Sequence, residues 1–112
     1  MKINEVLESY NKFLETYREA HGIDCKGHFI ALTAIIKSMG PWKEFRINIY
    51  YIDSNKEKHP FISSSTMEKC PKEKEEQCID KLSLNALQCF FHHLYADNVF
   101  NSIVKDSYGR VE

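Results

Sequence analysis

The chain has 112 residues, one domain's worth of sequence. Fifteen Lys and Arg stand against sixteen Asp and Glu, a net charge of −1, so no overall field favours nucleic acid or an anionic membrane surface. Apolar residues at 43% and aromatics at 12% exclude a disordered chain, and no stretch approaches the ~18 apolar residues of a membrane span.

The charge balance is also even along the chain. Residues 1–56 carry 8 basic and 7 acidic groups, and residues 57–112 carry 7 and 9. The N-terminal segment has no continuous apolar core of a secretory signal. The expectation is a cytoplasmic chain whose four cysteines, Cys25, Cys70, Cys78 and Cys89, are reduced thiols.

Over residues 3–21, Ile3, Val6, Leu7, Tyr10, Phe13, Leu14 and Tyr17 recur at helical spacing. Glu5, Glu8, Asn11, Lys12, Glu15, Arg18 and Glu19 fall between them on the wet face. Gly22 is suited to a left-handed C-terminal cap. Residues 28–39, HFIALTAIIKSM, fit a helix through Phe29, Leu32, Ile35 or Ile36, and Met39, with Lys37 in its last turn and Gly40 and Pro41 as its stop. A buried strand is the competing reading, because Ile30, Thr33, Ile35 and Ile36 are β-branched. Helix is the preferred one.

Residues 44–53 alternate, with Phe45, Ile47, Ile49 and Tyr51 on one face and Arg46, Asn48 and Tyr50 on the other. That is a half-buried strand. A polar turn over 54–58 leads to a second strand at 59–65, which Pro60 assigns to a sheet edge. Pro71 then suits the first turn of a helix that continues through Ile79, Leu82, Ala86, Leu87, Phe90, Phe91 and Leu94. Val99, Phe100, Ile103 and Val104 form a last apolar patch before the polar tail Tyr108–Glu112. The expected fold is one α+β domain over residues 1–112. An N-terminal amphipathic helix and a C-terminal buried helix pack on a small antiparallel sheet centred on residues 44–64. A two-stranded sheet is marginal alone, so either 28–37 or 99–104 adds a third strand or the helices supply most of the core.

Two Cys-x-x-His pairs, Cys25 with His28 and Cys89 with His92, have the ligand types of structural zinc. They are far apart in sequence and lack the Cys-x-x-Cys signature, and Cys89 among Leu87, Phe90 and Phe91 reads as a small buried hydrophobe. Cys89 and His93, one helical turn apart, are a second candidate pair, for nucleophilic chemistry. No hydrolase elbow or phosphate-cradling glycine loop accompanies them. Cys70 and Cys78 would lie about 12 Å apart along a continuous helix, too far for a disulfide. Only a Cys70 outside the helix, ahead of Pro71, escapes that limit.

By elimination, the expectation is a non-catalytic protein-binding domain. The form expected is a small bacterial or phage inhibitor or immunity-type protein that occludes a partner toxin or nuclease. The candidate contact residues are Arg46, Tyr50, Asp53, Glu57 and Glu68, with no cofactor. The alternatives are a zinc-stabilised domain using Cys25, His28, Cys89 and His92, and a small Cys–His enzyme.

Overall fold

The computed structural model describes residues 2–107; the tail at 108–112 lies outside them. Helix α1 (Ile3–Ala20) leads into three strands, β1 (His28–Met39), β2 (Trp42–Ile52) and β3 (Lys58–Lys69). A 3-10 turn at Lys72–Lys74 precedes helix α2 (Glu75–Phe91), which runs into a π turn at His92–Ala96 and a short helix α3 (Phe100–Val104). The sheet is antiparallel, in the order β1-β2-β3. The expected α+β architecture is present. Among the described residues, no helix is long and apolar enough to cross a membrane.

The segment 28–39 is a strand, and the helical reading is corrected. Met39 pairs with Trp42 across the two-residue turn Gly40–Pro41. Gly40 sits at φ +53 in the first central position, as a tight hairpin turn requires. The Gly-Pro pair that resembles a helix stop is therefore a hairpin signal, and the β-branched residues before it obey their strand preference. The third strand thus comes from 28–39, whereas 100–104 is helical. At the other end of α1, Gly22 (φ +69) supplies the expected cap, and the Ile23 N–H closes on the Arg18 carbonyl at 2.8 Å.

Both long helices cover the same face of the sheet. Phe29, Ala31, Phe45, Ile47, Ile49 and Tyr51 point into a core with Ile3, Leu7, Leu14, Leu82, Ala86, Phe90 and Leu94. A register shift between Ile49 and Tyr50 lets Phe61 enter this core, where its ring meets Phe29 and Phe90. β1 and β3 are the sheet edges, as Pro60 requires of β3. α1 protects the first half of the β1 edge with two asparagines spaced two helical turns apart. Asn11 Nδ2 donates to the Phe29 carbonyl (3.0 Å), and its Oδ1 accepts the Phe29 N–H (2.8 Å). Asn4 does the same at Ala31, at 3.1 and 3.0 Å. Each side-chain amide imitates a neighbouring strand.

Arg18 departs from its expected wet position. It is 2% exposed. Its guanidinium donates to the carbonyls of Val104 (3.0 Å), Gly27 (2.7 Å) and Ile103 (2.6 Å), and to the Tyr51 hydroxyl (2.8 Å). The Tyr51 hydroxyl in turn donates to Asp106, whose other oxygen accepts the Ser54 N–H at 2.8 Å. Gly27 has to be glycine, because a Cβ there would lie 1.6 Å from the Tyr51 hydroxyl. Burial, followed by the hydrogen bond to Asp106, raises the Tyr51 pKa well above the usual phenol value, so the group stays neutral. Replacing Arg18 by Met leaves Asp106 and three carbonyls without their cation. The expected loss is about 3–5 kcal/mol in urea unfolding, against about 1–3 kcal/mol for Tyr51→Phe.

Candidate functional site

The sheet face opposite the helices is uncovered among the described residues. Strand register places its side chains in rows. Ile36, Glu44 and Met67 form one row, Ala34, Arg46 and Ser65 the next, then Leu32, Asn48 and Ser63, and then Ile30, Tyr50 and Pro60. None of these residues is buried. The β1 column is wholly apolar, and the β2 column beside it is polar. Trp42 extends the face at the tip of the first hairpin. Leu32 is 49% exposed, Trp42 45% and Met67 55%, high values for large apolar side chains.

Two of the five candidate contact residues belong to this face, and both have intramolecular partners. Arg46 Nη2 pairs with Glu44 Oε2 at 3.1 Å. Lys58 Nζ sits over the Tyr50 ring, 4.5 Å from its centroid. The other three lie elsewhere. Asp53 is buried in the β2–β3 turn, which it organises: Oδ1 accepts the N–H groups of Asn55 and Glu57, both at 2.9 Å, and Oδ2 meets His59 Nε2 at 2.7 Å. Glu57 is exposed on the same turn. Glu68 lies opposite Lys43 in the strand register and points to the helix side, where its carboxylate faces Cys78. Alternation along a strand gives the face of a side chain but not what covers it, which is why five residues close in sequence separate in space.

Asp53, Glu57 and His59 also bring three ligand atoms within 4.8 Å of one another. The Asp53 oxygens are already occupied by the turn and by His59, so the turn alone accounts for the cluster. His59 foremost, then the two backbone N–H groups, hold the Asp53 carboxyl below its ordinary pKa. A lowered folded-state pKa stabilises the fold above the unfolded value, and that contribution is lost as pH falls through the folded value. Asp53→Asn is expected to be less stable than the parent at neutral pH. The difference should shrink as pH falls below the usual carboxylate range and through the lowered folded-state value, measured as thermal midpoints across a pH series.

The Cys-x-x-His pairs do not meet. Cys25 and His28 line a cleft between α1 and the loop that follows it. Cys89 and His92 line a separate groove at the end of α2, with Phe61, Ile62, His93 and Asp97, enclosing about 520 Å³. Cys89 is exposed, not the buried hydrophobe that its neighbours suggested. Helical phase accounts for this: Leu82, Ser83, Ala86, Leu87 and Phe90 form the buried stripe of α2, and Cys89 falls on the opposite face with Asn85 and Gln88. His93 is half-buried on the Phe61 ring, with Nδ1 at 3.1 Å from Asp97, and His92 is solvated.

Cys70 and Cys78 are brought together, with sulfurs 3.2 Å apart. Pro71 is extended (ψ 154), and the 3-10 turn follows it, so no continuous helix separates the two thiols. Burial first, then Cys70 and Glu68, push the Cys78 thiol up to about 12. Alkylation by iodoacetamide at pH 8, resolved by peptide mass, is expected to be at least about a hundredfold slower at Cys78 than at exposed Cys89.

No family model, curated protein or solved structure matches the chain.

Proposed function

We propose that this chain is a non-catalytic protein-binding module of the inhibitor or immunity type, and that the open sheet face is its contact surface. The observation that carries this reading is the uncovered face, with Leu32, Ile36, Trp42 and Met67 exposed around the Arg46–Glu44 pair. Burying such side chains against a partner releases water from apolar surface, and Trp is the residue type most enriched in binding hot spots. Paired charges in the centre of the face give register and selectivity more than attraction. With a net charge of −1, contact with a toxin or nuclease depends on shape and apolar area rather than on a phosphate-like acidic field. The same reading places the chain in the cytoplasm, among reduced thiols.

Cross-linking in the native host, followed by titration calorimetry with the captured protein, tests it. Trp42→Ala and Met67→Glu are expected to weaken binding tenfold or more, about 1.4 kcal/mol or above. Phe13→Ala, on an exposed patch of α1, should leave the affinity unchanged. Recovery of no stoichiometric protein, or binding that tolerates both sheet substitutions, overturns the proposal.

A further inference from the structure

We propose that Cys70 and Cys78 form a reversible redox site, joined as a disulfide by exchange with a small-molecule disulfide of the glutathione type. Three observations converge on this pair. The sulfurs already touch at 3.2 Å, so a further approach of about 1 Å forms a bond of about 2.0 Å. The backbone around them is fixed from both sides. The Cys70 N–H donates to the Pro41 carbonyl at 3.2 Å, which ties the end of β3 to the first hairpin. Lys43 forms an ion pair with Glu75, which ties β2 to the start of α2. The third observation is Glu68, whose carboxylate faces Cys78 and, after burial and Cys70, holds its thiol protonated. The pair therefore rests as two thiols in contact, and exchange through the small thiolate fraction is slow.

Exposure assigns the order of events. Cys70 is 3% exposed, and Cys78 is more open. Cys78 therefore meets the reagent. Its thiolate attacks one sulfur of the glutathione disulfide, forms a mixed disulfide and releases one glutathione thiolate. The Cys70 thiolate then attacks the Cys78 sulfur and expels the second. The two protons lost by the protein are taken up by the two glutathione thiolates. Both protein thiols are oxidised, two electrons in all, and one glutathione disulfide is reduced to two glutathiones. Cys25 and Cys89 line separate clefts and have no such partner thiol among the described residues. The product ties the end of β3 to α2 across the exposed turn at Lys72–Lys74.

The full chain, equilibrated anaerobically in glutathione buffers of graded potential, is expected to lose about 2 Da as the buffer becomes oxidising. The same end-point should be reached from chain first oxidised with diamide, so that slow exchange is not read as absence. Non-reducing trypsin digestion should then release residues 70–72 joined to residues 75–81, a species that reductant splits. Cys78→Ser should abolish the joined peptide, and Cys70→Ala should do so independently. Cys25→Ser and Cys89→Ser should leave it unchanged. Thiols that stay reduced from both directions, stable glutathione adducts in place of the link, or a link involving Cys25 or Cys89 would each overturn the proposal.

Discussion

A single buried cation holds the parts of this domain in register. Taking a guanidinium out of water is costly by several kcal/mol unless its donors find acceptors. Arg18 satisfies that condition with four hydrogen bonds, to carbonyls of the 21–28 loop and of α3 and to the hydroxyl of Tyr51. A guanidinium has five N–H donors in a rigid fork, so four well-placed acceptors fix its plane and direction. The acceptors come from segments between 9 and 86 residues away in the chain. The end of α1, the end of β2 and α3 are consequently located by one side chain. Asp106 supplies the compensating negative charge through Tyr51, and its carboxylate also holds the Ser54 N–H at the start of the second hairpin turn.

The rest of the architecture follows from how α1 is held. With its C-terminal end anchored by Arg18, α1 runs along β1 and places Asn4 and Asn11 against the backbone of Ala31 and Phe29. An edge strand with unpaired backbone groups invites pairing with other chains, and covering the edge removes that hazard. The helix covers only the beginning of β1. Beyond Ala31 the strand carries Leu32, Ile35 and Ile36, all exposed. Because α1 and α2 both serve the same face of the sheet, the opposite face is left to solvent. The proposed contact surface is thus a product of helix placement, whereas the residues on it would look ordinary on a two-sided sheet.

The two hairpin turns show how turn chemistry separates into local and non-local parts. Asp53 builds its turn from its own neighbours at Asn55, Glu57 and His59. Such an arrangement is in principle readable from adjacent residues, although the sequence assigned Asp53 to a contact surface. The Cys70–Cys78 approach is of the other kind. Eight residues of continuous helix would hold the sulfurs apart, and only the extended Pro71 and the 3-10 turn after it fold the chain back. Pro71 was legible as a helix boundary, but the direction in which the chain turns there depends on the Cys70–Pro41 backbone bond and the Lys43–Glu75 pair.

What the sequence determined by itself were the elements whose periodicity is strong. These are the amphipathic α1 with its Gly22 cap, the alternating strand from Phe45 to Tyr51, the edge position of Pro60, and the apolar run of α2. In each, local spacing and local chemistry agree. The tertiary structure decided the rest. It made 28–39 a strand because β2 was available to pair with it, although a Gly-Pro sequence signals a hairpin and a helix end equally well. It buried Arg18, because acceptors distant in sequence converge there, and it exposed Cys89, because the sheet takes the Leu82–Ala86–Phe90 side of α2 and leaves the Cys89 side to solvent. It also distributed Arg46, Tyr50, Asp53, Glu57 and Glu68 over a face, a turn and an interior. A one-dimensional pattern fixes which way a side chain points relative to its neighbours, and the packing of distant elements fixes what it then meets.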